Sequence, residues 1–249
     1  MTAPPLVTVA HGSRDHRSAA TIAALADLVR AEAPGLDVRE AFLDLSRPGV
    51  GEVLAALHAE GHRETIIVPL LLGSAYHARV DLPRIVEDAA VRFPALRVTV
   101  SEVLGTSGVL EEVALDRLAA AGADLADPGL GVVLSAVGSS HEPANVAVAR
   151  MARRWQSRNR CLVTHAFASA AHPDVPAAVA KLRAKGAARF AVASWFLAPG
   201  LLPDRVSTLA REAAGPVAFA QPLCPDPRVA GAVLRHYAGA RRADARRSA

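Results

Sequence analysis

The sequence predicts an α/β protein of two duplicated, doubly wound domains, each a parallel sheet of about four strands flanked by helices. Three observations carry this reading. Short apolar, β-branched runs alternate with longer segments of helical periodicity along all 249 residues. Turn residues recur at one offset, with Gly186 answering Gly61 and Pro173 answering Pro48, both 125 positions on. At an offset of 126, His11-Gly12-Ser13 faces Val137-Gly138-Ser139.

The first apolar run, Leu6 to Ala10, reads as a fully buried strand, and Ser18 to Ala33 follows with Ile22, Leu25, Leu28 and Val29 at helical spacing. Val38 to Leu45 is the next strand and Val50 to Glu60 the next helix, which Gly61 closes as a left-handed cap. Thr65 to Leu72 is continuously apolar, as in a strand covered on both faces. Asp81-Leu82-Pro83 opens a third helix, with Asp as cap and Pro in the first turn. Val98 to Val103 and Val109 to Ala121 complete the first half. The second half places strands near 130–137, 160–167, 189–196 and 216–220. The repeat therefore divides the chain into domains 1–124 and 129–249, with Gly122 to Gly129 as the linker.

Composition narrows the class. An apolar fraction of 51% with 21% charged residues describes an ordinary globular chain, not a disordered one. No apolar run reaches the ~18–20 residues of a membrane helix, and the first residues lack a signal pattern, so a cytoplasmic protein with no membrane partner is expected. The two cysteines, Cys161 and Cys224, form no Cys-x-x-Cys pair and fit a reducing compartment. The net charge of +4 rests partly on the arginine-rich tail and forms no stripe for nucleic acid. No Gly-x-Gly-x-x-Gly, Gly-x-x-x-x-Gly-Lys or Gly-x-Ser-x-Gly pattern occurs, which argues against dinucleotide, P-loop and α/β-hydrolase chemistry.

Two histidines stand out by position. His11 follows the first strand and His77 lies just past the third, and strands one and three are commonly neighbours in doubly wound sheets. Ligands in such sheets bind beyond the carboxyl ends of the strands, so both imidazoles face one expected cleft. The second half has Val137 and Leu202 at the matching positions, which predicts one site, in the amino-terminal half. Strand alternation puts Glu40, Phe42 and Asp44 on one face, with Asp44 nearer the ligand edge. Leu72 and Tyr76 would line the same cleft. His16, His58, His62, His141, His165, His172 and His236 show no closed zinc pattern and read as packing or surface residues.

The segments Val9-Ala-His11-Gly-Ser13, Ala41-Phe-Leu-Asp-Leu45 with Pro48, and Val68-Pro-Leu-Leu-Leu-Gly-Ser-Ala-Tyr-His77-Ala-Arg-Val-Asp-Leu-Pro83 resemble the sirohydrochlorin chelatase family, the CbiX/SirB-type class II chelatases in their long two-domain form. The resemblance spans the whole chain and implies a flavodoxin-like, chelatase-like fold. It implies His11 and His77 as catalytic metal ligands, and strand alternation offers Asp44 or Glu40 as a candidate further ligand. The implied reaction inserts a divalent metal into a sirohydrochlorin-type polyanionic tetrapyrrole and releases two protons. No organic cofactor is implied. Imidazole suits Fe²⁺, Co²⁺ and Ni²⁺, and titrates near ~6.5 as a residue type, which makes it a workable base. Ferrous iron, for sirohaem, is the expected metal, with cobalt for cobalamin the alternative. Ser13, Arg14 and Arg79, close after the two histidines, are the expected substrate contacts, with Arg47 nearby.

Two other classes stay open at this level. A non-catalytic tetrapyrrole or metal carrier would bind without turnover. A phosphate-ester enzyme using His11-Gly12-Ser13 lacks the arginine beside the histidine that phosphohistidine chemistry usually needs. Two fused halves supply internally what a one-domain form builds by pairing, so a monomer is expected.

Overall fold

A computed structural model describes residues 3–73, 80–105 and 107–247. The first repeat runs β1 (Leu6–Ala10), α1 (His16–Glu32), β2 (Val38–Phe42), α2 (Val50–Ala59), β3 (Glu64–Pro69), α3 (Leu82–Arg92), β4 (Arg97–Val100) and α4 (Gly108–Ala120). The second runs β5 (Leu130–Ala136), α5 (Glu142–Arg158), β6 (Leu162–Phe167), α6 (Val175–Ala184), β7 (Arg189–Ser194), α7 (Leu201–Ala214), β8 (Val217–Phe219) and α8 (Pro227–Arg247). Two all-parallel sheets result, ordered β2-β1-β3-β4 and β6-β5-β7-β8. Of the two central strands in each sheet, one is the first of its repeat, β1 or β5. In the first sheet Val9 lies opposite both Ala41 and Pro69, which brings the ends of β1 and β3 side by side.

Local chemistry explains the helix starts. The Asp15 carboxylate caps α1 by accepting from the Arg17 N–H at 3.0 Å, and Asp174 caps α6 through Ala177 N–H at 2.9 Å. The Glu52 carboxylate reaches back to the Gly49 N–H at 2.7 Å at the start of α2. Gly61 and Gly186, at φ +87° and +98°, close α2 and α6 in the left-handed conformation that glycine adopts without a Cβ penalty.

The chain forms two compact units, Met1–Ser107 with Cys224–Ala249, and Gly108–Leu223. These are not the sequence repeats. Helix α4 belongs by sequence to the first repeat but packs on β7, while α8 belongs to the second repeat and packs on α1, β3 and β4. Side chains hold this assignment. Glu111 of α4 is buried and accepts from Trp155 Nε1 at 3.1 Å and from the Arg154 guanidinium, both on α5. The Tyr237 hydroxyl of α8 donates to Pro4 O at 2.7 Å, and Asp244 pairs with Arg97 at 3.2 Å. The expected linker is ordered within the second unit, where Asp127 accepts from the Gly129 N–H at 2.9 Å and pairs with Arg189.

Each unit has its own core. Val7, Val9, Leu54, Leu57 and Ile67 anchor the first, and Val133, Val179, Leu182, Phe190 and Val192 the second. Each such fully buried side chain is worth roughly 1.5–3 kcal/mol against exposure. No helix among the described residues is long and apolar enough to cross a membrane.

Candidate functional site

The loops beyond the carboxyl ends of β1 and β2 are joined by backbone hydrogen bonds. Leu43 N donates to Ala10 O at 3.0 Å and Asp44 N to His11 O at 2.9 Å, extending the ladder past the strands. Gly12 takes φ +93°, and a Cβ there would lie 1.7 Å from Asp44 O, so only glycine permits this approach. The Ser46 hydroxyl accepts from Ser13 N–H at 3.0 Å and donates to Ser13 O at 3.0 Å. The Ser13 hydroxyl accepts from Asp15 N–H at 3.1 Å and so ties the loop to the α1 cap. The Arg17 guanidinium hydrogen-bonded to Asp15 holds that carboxyl down at about 2, so the cap remains ionised.

His11 is thus held, partly buried, at the end of β1. Its Nδ1 lies 3.1 Å from Gly12 O. A carbonyl oxygen only accepts, so Nδ1 carries the proton in this contact. On the neighbouring strand Leu70 N donates to Val9 O at 2.7 Å, which sets the chain leaving β3 beside His11. Leu72, partly buried, follows on that segment. His77, Tyr76 and Arg79 lie outside the described residues.

The carboxylates divide. Glu40 sits within β2 opposite Thr8, short of the carboxyl edge, and its carboxylate pairs with Arg30 of α1 at 3.2 Å. Asp44 lies past the end of β2, where strand alternation no longer applies. Phe42 N there bonds Pro48 O at 2.9 Å, and the Asp44 carboxylate accepts from Leu45 N–H at 2.7 Å. Arg14 is exposed beside the His11 loop, whereas Arg47 is engaged by Glu52.

Sequence reasoning overlooked Ser46 and Leu45. The signal was the Asp44-Leu-Ser46 turn before Pro48, since a short polar run between a strand and a helix belongs to the ligand edge of a parallel sheet.

The second unit preserves this frame without its histidine. Gly138 takes φ +87° with Ser169 O only 2.0 Å from a would-be Cβ, and Ser169 N donates to Val137 O at 2.9 Å. The two backbone groups of Ser139 are satisfied by Asn145, at 2.9 and 2.7 Å, where Ser46 serves Ser13. Val137 stands in the place of His11.

Two further features lie elsewhere in the first unit. Asp37, Glu60 and His62 have ligand atoms within 4.8 Å of one another at the amino-terminal edge of the sheet. Arg39 binds both carboxylates, so this group is an ion-pair tie across the ends of β2 and α2. A cavity of about 530 Å³ lies between the end of β4 and α8, lined by Ser101, Glu102, Ser107, Arg235 and His236. His11, Ser13 and Asp44 do not line it.

The CbiX family model matches residues 5–121 and 131–240, both repeats. A sirohydrochlorin cobaltochelatase of Priestia megaterium is 23% identical over 178 residues, 70% of this chain and 58% of that protein. A sirohydrochlorin ferrochelatase of Bacillus subtilis is 31% identical over 101 residues, 40% of this chain and 38% of its own length. The chain thus spans little more than half, or less, of these relatives. Among solved structures, SirB from Bacillus subtilis with Fe3+ superposes with a TM-score of 0.76 at 22% identity, covering 94% of this chain and 93% of that one. CbiX, described as the terminal enzyme for siroheme biosynthesis in denitrifying bacteria, superposes with a TM-score of 0.67 at 22% identity, covering 95% and 99%. At these identities the superpositions establish the shared fold.

Proposed function

This chain belongs to the CbiX family, and on that premise we propose that it is a sirohydrochlorin chelatase whose metal is handled by His11 and His77. The observation that carries the reading is the His11 loop itself. A partly buried imidazole ends β1, is oriented through Nδ1 by Gly12 O, and rests on backbone bonded to the β2 loop. The same frame recurs in the second unit with valine in that position, which supports a single site in the first unit.

The chemistry follows from neutral imidazole. His11 is the first proposed ligand of the divalent ion, and His77, which follows β3 in the sequence, is the second. Two nitrogen ligands with an adjacent carboxylate hold the ion while leaving positions open for the pyrrole nitrogens. As the ion passes to the macrocycle, two pyrrole N–H protons depart, and the released imidazoles accept them. Asp44 is better placed than Glu40 to assist, because Glu40 is committed to Arg30 away from the edge. Ser13, Arg14, Leu72, Tyr76 and Arg79 complete the proposed substrate contacts, with Arg14 facing solvent where a macrocycle carboxylate approaches.

Ferrous iron is the proposed metal. Cobalt is the second reading, supported by the cobaltochelatase relative, since imidazole ligands do not separate these ions. The test is anaerobic chelation of sirohydrochlorin by Fe²⁺ or Co²⁺, followed by absorbance. His11→Ala and His77→Ala, verified as folded, should each lower turnover by about 10²-fold or more. Near wild-type rates in either would remove that histidine from the site. Stoichiometric binding without turnover in the wild type would make the protein a carrier. Comparison of kcat/KM for the two ions decides the metal.

A further inference from the structure

Leu45 combines two features that an apolar side chain normally avoids. Its backbone is left-handed at φ +59°, and the residue is 47% exposed. A branched side chain at positive φ is disfavoured by contact with its own backbone, and glycine or asparagine is the usual occupant. An exposed leucine gains nothing from burial either. Among the described residues, the first unit's core cluster does not include it.

The turn itself does not demand leucine. Ala170, the matching residue of the second repeat, holds φ +55° in the same frame with a methyl group. The left-handed conformation is therefore a property of the duplicated turn, while the isobutyl group belongs to the first unit alone. That unit is also the one that carries His11.

Both sides of Leu45 are bonded to the His11 loop. Asp44 N donates to His11 O at 2.9 Å, and the Ser46 hydroxyl engages Ser13 N and O at 3.0 Å each. The Asp44 carboxylate accepts from Leu45 N–H at 2.7 Å, which steadies the arch. The leucine thus rides at the crest of an arch whose feet stand on His11 and Ser13. A strained residue held this firmly beside a functional loop points to a role outside the fold.

Resting on the chelatase reading above, we propose that Leu45 is a substrate-contact residue whose side chain packs against the apolar face of the tetrapyrrole and sets the ring's position over the metal at His11. The chemistry is complementary. The macrocycle is a flat conjugated ring with a charged rim, so cations such as Arg14 meet the rim and an apolar group beside the ligand meets the face. A leucine covered by the ring loses its exposure only when substrate is bound, which places its contribution in binding and not in folding.

The experiment compares wild type with Leu45→Gly, Leu45→Ala and Leu45→Met. Affinity for metal-free sirohydrochlorin is titrated by absorbance, steady-state constants are measured for each substrate, and each variant is melted. Leu45→Gly and Leu45→Ala should raise the Kd and KM for sirohydrochlorin about tenfold, as expected for losing one apolar side-chain contact. The KM for Fe²⁺ should not move, and Leu45→Met, which restores an apolar chain, should stay within about twofold of wild type. The melting temperature of Leu45→Gly should equal or exceed that of wild type, because glycine relaxes the positive φ. Unchanged sirohydrochlorin affinity in Leu45→Gly and Leu45→Ala would overturn the proposal. So would a loss of affinity in Leu45→Met equal to that in Leu45→Gly, or a change in sedimentation in place of affinity, which would mark a contact between copies. Wild-type protein that neither binds nor metalates sirohydrochlorin would instead overturn the chelatase reading, and this inference with it.

Discussion

The Ser46 hydroxyl closes on both backbone groups of Ser13, accepting from its N–H and donating to its carbonyl, each at 3.0 Å. One side chain on the β2 loop thereby fixes the height of the loop that carries His11. In the second unit Asn145, on α5 of the same loop–helix segment, satisfies the corresponding groups of Ser139, so the two neighbouring loops there lack this side-chain tie. Ser46→Ala should cost roughly 1–3 kcal/mol, since it strands two partly buried polar groups. Denaturant unfolding reads that loss. On the proposed function, metal insertion should fall further than the loss of folded protein explains, because His11 is no longer held in place.

Gly12→Ala should be far more damaging than a typical glycine substitution. The new methyl would meet Asp44 O at 1.7 Å and the residue would remain at φ +93°. A left-handed alanine alone costs roughly 1–2 kcal/mol, and the clash adds to it. Gly138→Ala faces Ser169 O at 2.0 Å and should destabilise comparably. The two should differ in turnover per folded molecule, measured after correcting for the folded fraction. Gly12→Ala should lose most of it, and Gly138→Ala should retain it.

Glu111 supplies the polar anchor of α4 in the second unit. It is 8% exposed and satisfies the indole N–H of Trp155 as well as Arg154. Glu111→Ala should lower unfolding stability by about 1–3 kcal/mol, because the buried indole N–H loses its acceptor. Glu111→Gln, which keeps an acceptor oxygen, should cost less. The midpoint of denaturant unfolding, followed by tryptophan fluorescence, distinguishes the two.

His165 on β6 lies beside the Phe167 ring at 5.4 Å. Burial, reinforced by Lys181 and Arg153, lowers its pKa below the usual 6.5. The unfolded chain therefore takes up a proton at a higher pH than the native chain does. The stabilisation from keeping this imidazole neutral is present above about 6.5 and declines as pH falls below it. Comparing unfolding at pH 7.5 and 5.5, His165→Phe should show a smaller drop than wild type. An equal drop would assign the dependence to other groups.

Both cysteines are buried, and burial pushes the Cys161 thiol above its usual pKa. Native protein should therefore react slowly with a thiol-specific chromogenic disulfide at pH 8, and denatured protein rapidly. A fast native phase would show that Cys161 or Cys224 is reached without unfolding.

The alternation of apolar runs and helical periodicity located the eight strands and the helices of the first half to within a few residues, because those patterns are local, whereas α8 (Pro227–Arg247) takes in the arginine-rich tail that the sequence reads as solvated. Gly61 and Gly186 announced helix ends for the same reason, since a left-handed cap is a property of one residue. The substitution of Val137 for His11 within a duplicated frame is what singles out the first half for the proposed metal site. What was misread lay where local period ends. Asp44 looked like a strand residue in alternation with Glu40, yet β2 stops at Phe42 and the chain turns to bond His11.

By itself, then, the sequence determined the element order, the duplication and the place of one histidine at a strand end, all of which depend on residues close together in the chain. Only the tertiary structure decided which helix covers which sheet. The packing of α4 and α8 rests on distant pairs such as Glu111 with Trp155 and Tyr237 with Pro4. It also decided the arch of Asp44, Leu45 and Ser46 over His11. That arch depends on hydrogen bonds between residues more than thirty positions apart, and no local spacing records them.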